Sequence, residues 1–230
     1  MKDKLCAAVV QSGSALFDTE ATLQRFEERL GEAVARGAQL VVFPEAYVGG
    51  YPKGIDFGAK LGSRSEEGRH WFRRYFDSSV TLDGKEVERV AACFAEHRVH
   101  GVVGVIERLG GTLYCSAITF DTRGNRVGLR RKLMPTALER VVWGFGDGST
   151  LEVADTELGK IGAAICWENF MPQLRLTLYG AGVELYCAPT VDDRDTWLPL
   201  MQTVALEGRC FVLSACQFLR RSDAPDDFSP

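Results

Sequence analysis

Two short apolar runs, residues 5–11 and 40–43, flank an amphipathic stretch at residues 20–36, and this opening narrows the possible folds more than any other part of the chain. Leu23, Phe26, Leu30, Ala33 and Val34 recur at helical spacing and share one face. Thr19 is placed to cap the start of that helix and Gly37 to end it. Strand, helix and strand in this order predict a parallel pair joined by a crossover helix, because parallel neighbours cannot be joined by a tight turn.

The pattern then changes. Residues 48–67 are rich in glycine and charge and read as a long loop, with helices at 66–76 and 87–98. Strand-like runs at 101–107, 112–121 and 126–132 are separated by turn signals at Gly110-Gly111 and Gly124-Asn125, which predict an antiparallel meander. Residues 133–149 read as a second long loop. A hairpin is expected at 151–155 and 160–166, then a helix at 172–179, a strand at 184–188, a helix at 197–207 and a strand at 210–217. The fold class is α/β with a mixed sheet, helices outside and long loops at one end. Residues 1–219 read as one domain and residues 220–230 as a polar tail without fixed structure.

A chain of 230 residues, 46% hydrophobic, can bury the core of such a domain. Its net charge of -4 gives no attraction to nucleic acid or to an anionic membrane, and no apolar run reaches the length of a membrane span. The N-terminus has no apolar signal core. The 7 cysteines include no Cys-x-x-Cys pair, and the 3 histidines do not cluster with them. Neither a zinc site nor a disulfide framework is expected, which predicts a reduced cytoplasmic protein.

Three stretches place a reactive side chain at a strand end. Cys166 lies where the apolar run from Ile161 stops, ahead of Trp167, Glu168 and Asn169. Alone, it reads as a small buried residue, the usual fate of a free cysteine. Glu45 directly follows an apolar strand, where partial desolvation would raise its pKa and suit it to work as a base. Alone, it reads as a turn residue. Lys132 ends a strand and alone reads as a solvated lysine, and Glu139 reads equally as an ion-pair partner of its neighbour Arg140. His70, His97 and His100 invite a Cys–His alternative, but none sits in a matching motif. The run Asp192, Asp193, Arg194, Asp195 resembles a metal loop, yet a solvated helix start explains it. Gly104, Gly110, Gly111 and Gly124 do not make a nucleotide loop.

Taken together and in this chain order, the three stretches resemble the nitrilase superfamily of carbon–nitrogen hydrolases. The runs at 138–148 and 166–172 resemble its nitrilase branch, and those at 188–197 and 205–212 extend the likeness to nearly the whole chain. The resemblance implies an α-β-β-α sandwich and a Glu-Lys-Cys constellation of Glu45, Lys132 and Cys166, with Glu139 orienting Lys132 or shuttling protons. It implies hydrolysis of an organic nitrile to a carboxylic acid and ammonia through a thioimidate and a thioester on Cys166. The backbone N–H of Trp167 is a candidate oxyanion donor. Tyr51, Trp143 and Trp167 are candidate substrate-binding residues, for which core packing is the plain alternative. No metal or organic cofactor is expected.

An amidase or cyanide-degrading relative with the same residues, and a non-catalytic assembly protein, are the competing functions. The resemblance also implies further strands beyond residue 217. Without them a sheet edge or an apolar face is left uncovered, which predicts a homo-oligomer, or another associated form, rather than a fully active monomer.

Overall fold

A computed structural model describes residues 4–228. Residues 1–3 of the expected domain and 229–230 of the expected tail lie outside the described residues. The opening forms as the sequence predicts: β1 (Ala7–Val9), α1 (Thr19–Ala35) and β2 (Leu40–Val42), with β1 and β2 parallel. After α2 (Glu66–Ser78) and α3 (Lys85–His97), β3 (His100–Leu109) joins β2 in parallel. β4 (Thr112–Phe120) and β5 (Arg126–Arg131) then add the antiparallel meander.

A second sheet repeats this plan. β6 (Val153–Thr156) and β7 (Gly159–Ala163) make a hairpin, and β8 (Leu185–Cys187) and β9 (Phe211–Leu213) continue it in parallel. The single mixed sheet read from the residues is thus two mixed sheets, in the orders β1-β2-β3-β4-β5 and β6-β7-β8-β9.

Side-chain alternation along β2 shows how the layers stack. Val41 and Phe43 face the helix layer, where Leu23, Phe26 and Leu30 of α1 meet Phe94 of α3. Leu40 and Val42 face the other way, into a core shared with Ile161 and Leu185 of the second sheet. That sheet is covered outside by α5 (Pro172–Gly180) and α6 (Trp197–Gly208) through Leu174, Leu178, Met201 and Val204. The result is an α-β-β-α sandwich. Among the described residues no helix is long and apolar enough to cross a membrane.

Three local expectations change. The cap of α1 is Asp18, whose Oδ1 accepts from the Ala21 N–H at 2.9 Å, while the Thr19 hydroxyl donates to the Ser78 carbonyl at 2.7 Å. The loop at 133–149 contains one helical turn, α4 (Glu139–Val142). The described part of the tail is laid against the domain. Asp223 pairs with Arg25 at 2.6 Å, the Leu16 N–H donates to the Asp223 carbonyl at 2.7 Å, and Phe228 packs on Leu16 and Trp71. An aromatic anchor and an ion pair hold a segment whose composition reads as solvated.

Candidate active site

Three chain segments converge at one end of the sandwich. The first leaves β2 through Pro44 and turns at Ala46, whose φ of 51° is left-handed. Gln217, at the far end of the chain, holds this turn by donating from Nε2 to the carbonyls of Glu45 (2.8 Å) and Ala46 (3.0 Å). Gly104 of β3 lies directly beneath it. A Cβ there would sit 2.1 Å from the Pro44 oxygen and 2.7 Å from Glu45 Cα, so only glycine lets the turn cross the strand.

The second segment leaves β5. Lys132 is buried, and its Nζ donates to Glu45 Oε1 at 2.7 Å and to Glu139 Oε2 at 2.8 Å. Glu139, the first residue of α4, also accepts from the Thr136 N–H (2.6 Å) and the Tyr51 hydroxyl (2.9 Å). It is therefore paired with Lys132 rather than with Arg140, which donates to the Pro135 carbonyl. Trp143 lies with its ring centroid 5.3 Å from Lys132 Nζ and donates from Nε1 to the Tyr75 hydroxyl at 3.1 Å.

The third segment follows β7. Cys166 opens a 3-10 turn, Cys166–Phe170, three residues beyond the strand. Its φ of 50° is unusual for a non-glycine residue, a local strain of the kind that clusters at functional sites. The turn is pinned by Cys166 N–H donating to the Pro189 carbonyl (2.9 Å) and by Asn169 Nδ2 donating to the Cys166 carbonyl (2.8 Å).

Sequence reasoning missed two residues that join these segments. Glu168 is fully buried and accepts from the N–H of Ile165 (2.8 Å), the N–H of Leu133 (2.6 Å) and the Arg130 guanidinium. It thus ties the residue before Cys166 to the residue after Lys132. Cys115 of β4, buried between the sheets, donates its thiol to Glu45 Oε1 at 3.5 Å. No local signal marks either role, since both depend on partners far away in sequence.

Burial is the main force on the Glu45 carboxyl and pushes its pKa up. The Lys132 ammonium opposes this, Glu139 adds to it, and the Cys166 thiol favours the charged form. Its Oε2 has no hydrogen-bond partner. Burial alone would drive Lys132 towards the neutral amine, but Glu45, the neighbouring thiols and Glu139 outweigh it and hold the ammonium charged. The Cys166 thiol is held well above the ordinary range, first by burial and then by Glu45, against the pull of Lys132. The cluster sets a thiol beside a buried carboxyl and a fixed cation, an arrangement suited to nucleophilic attack with charge stabilisation.

The remaining candidates separate. Tyr51 and Trp143 line a cavity of about 290 Å³ with Phe57, Tyr75, Leu138 and Glu139. Trp167 is not among its walls; it is 42% exposed, packed on Phe170 at 4.9 Å and covered by Arg194. The histidines lie elsewhere: His100 contacts Glu157, His70 packs on Trp71, and His97 ends α3. Asp192 is occupied by Arg194 at 2.8 Å. A larger groove of about 790 Å³ runs along β1 and α1 and shares no residue with the cluster.

The profile of the carbon–nitrogen hydrolase family matches residues 6–225. The chain is 57% identical over 219 residues to the bifunctional nitrilase/nitrile hydratase NIT4B of Nicotiana tabacum, covering 95% of this chain and 63% of that protein. It is 56% identical over 222 residues to nitrilase blr3397 of Bradyrhizobium diazoefficiens, covering 96% and 69%. Among solved structures, an amidase from Nesterenkonia sp. superposes with a TM-score of 0.71 at 17% identity over 94% of this chain and 78% of that one. The C. elegans NitFhit protein gives 0.73 at 17% identity over 91% and 50%. These structural likenesses speak of the fold. The chain spans less than two thirds of the length of the tobacco relative.

Proposed function

The chain belongs to the carbon–nitrogen hydrolase family, and from that premise we propose that it acts as a nitrilase with Cys166 as nucleophile, Glu45 as base, Lys132 as the fixed cation and Glu139 as its holder. The observation that carries this reading is the Lys132 ammonium clamped between two carboxylates, one of which, Glu45, neighbours the Cys166 thiol and keeps one buried oxygen unpartnered.

Glu45 takes the thiol proton as sulfur bonds to the nitrile carbon. Lys132 stabilises the charge developing on nitrogen and supplies a proton, giving a thioimidate, and Glu45 passes the thiol proton to Lys132 across their 2.7 Å contact, which restores both groups. Water adds with Glu45 again as base, and ammonia leaves a thioester. A second water releases the carboxylic acid and restores the thiol. The Trp167 N–H, in the first turn of its 3-10 segment and so without an intrahelical acceptor, is a donor for the oxyanion. One nitrile and two waters give one acid and one ammonia. If the nitrogen is retained after the first water, the product is an amide, the second activity in the tobacco relative's name.

Tyr51 and Trp143 are the proposed substrate contacts within the 290 Å³ cavity, and Trp167 is a contact at the outer surface. A small-molecule nitrile is the proposed partner and no cofactor takes part. A cytoplasmic location is proposed on the 7 cysteines, all free thiols. A homo-oligomer is proposed on the exposed Leu176 of α5 and Leu198 and Leu206 of α6, an apolar surface of the kind that marks interfaces.

The test is ammonia release from aliphatic, aromatic and arylaceto-nitriles, with the matching amides and cyanide in parallel. Nitrile turnover that vanishes in a folded Cys166→Ala variant supports the reading. Release from amides alone, or unchanged release from that variant, rejects it.

A further inference from the structure

We propose that Cys115 is a positioning residue for this reaction: its thiol holds one oxygen of Glu45 so that the other is presented to Cys166. The inference rests on the reading of Glu45 as the base. Two donors converge on Oε1, the Lys132 ammonium at 2.7 Å and the Cys115 thiol at 3.5 Å. None reaches Oε2, although that atom is buried. A buried carboxylate oxygen without a donor is costly, and here the asymmetry leaves Oε2 as the oxygen open to receive a proton.

Cys115 also accepts the Lys132 N–H at its carbonyl, at 2.8 Å, so one residue fixes the main chain of the lysine and the side chain of the glutamate. It stands opposite Ile106 within the β3–β4 ladder, a rigid base for such a contact. It does not compete as a nucleophile: burial and the Glu45 charge hold its thiol well above the ordinary range. The charged and titratable groups around Glu45 are Lys132, Glu139, Cys115 and Cys166, with Tyr51 behind Glu139 and Tyr75 beside Cys115.

A neutral donor on a carboxylate favours its charged form, so removing the donor raises the pKa of Glu45. Cys115→Ala removes it and Cys115→Ser keeps a donor of similar size. In pH profiles of nitrile hydrolysis, wild type and Cys115→Ser should share an acid limb. That of Cys115→Ala should move up by about one pH unit, as a hydrogen bond to a charged group warrants. Below the limb kcat should fall about tenfold with KM unchanged, since one pKa unit is a factor of ten.

Alkylation of Cys166 by iodoacetamide over the same pH range, read by peptide mass, needs no nitrile and should show the same displacement. If wild type releases no ammonia, the nitrilase reading fails while the alkylation profile still tests Cys115. An unmoved limb in Cys115→Ala, or equal displacement in both variants, overturns the proposal, because the contact would then matter only as packing.

Discussion

Replacing Gly104 by alanine tests whether close backbone approach, rather than any side chain of β3, places the base. The added Cβ would lie 2.1 Å from the Pro44 oxygen, a contact that must open to at least 3.0 Å, a retreat of about 0.9 Å. Such a shift carries Glu45 away from Lys132 and stretches their 2.7 Å contact beyond hydrogen-bond reach. Overpacking of this kind costs about 1–3 kcal/mol of stability. Misplacing a catalytic group by about 1 Å costs on the order of a hundredfold in rate. Urea unfolding and ammonia release measure the two losses separately. Gly31→Ala is the control: it lies within α1 with nothing within 4 Å of its Cβ, and should raise stability by about 0.5–1 kcal/mol with kcat intact. Wild-type stability and kcat in Gly104→Ala would refute the argument.

Glu45→Gln and Lys132→Ala should each lower kcat/KM by several orders of magnitude, whereas Glu139→Gln, which leaves the lysine in place, should lower it less; steady-state kinetics on folded variants decide. On the acid side, turnover should fall as Glu45 becomes protonated. Because burial raises its pKa, that limb should lie above the ordinary carboxylate value of about 4.3, and a limb at or below it would count against Glu45 as base. Glu168→Ala leaves the Arg130 charge buried and unpaired, so denaturant unfolding should show a loss of about 3–5 kcal/mol. Light scattering should find wild type as a dimer or larger, and a Leu198→Glu, Leu206→Glu double variant shifted towards the monomer.

Much of the frame was legible because periodicity is local. The apolar face of α1, the meander turns at Gly110 and Gly124 and the β-α-β opening all appear where the pattern puts them. Cap positions were less so: Asp18 and Thr19 are both good caps, and the contact of Thr19 with Ser78, 59 residues away, decides between them. Among the site candidates, Glu45, Lys132 and Glu139 converge in direct contact; adjacency to a strand end was the readable sign for the first two, and Glu139 was a candidate only through the family resemblance. Cys115 and Glu168 were not readable, because a buried thiol 70 residues from its carboxylate and a glutamate bound to an arginine 38 residues away look locally ordinary. Gly104 read only as a glycine that binds no nucleotide, and Phe228 as part of a polar tail.

The Gln217 contact has a consequence for synthesis. The turn carrying Glu45 is held by a side chain 172 residues later in the chain, which also takes the Ser14 hydroxyl at 3.2 Å. A nascent chain that has not yet exposed residue 217 can form β1, β2 and the meander, but the left-handed turn after Pro44 lacks its two donors. The thiol segment at Cys166 emerges earlier and waits without a positioned partner. The placement of Glu45 beside Cys166 thus depends on residue 217 as well as on the strand ends that carry the two side chains.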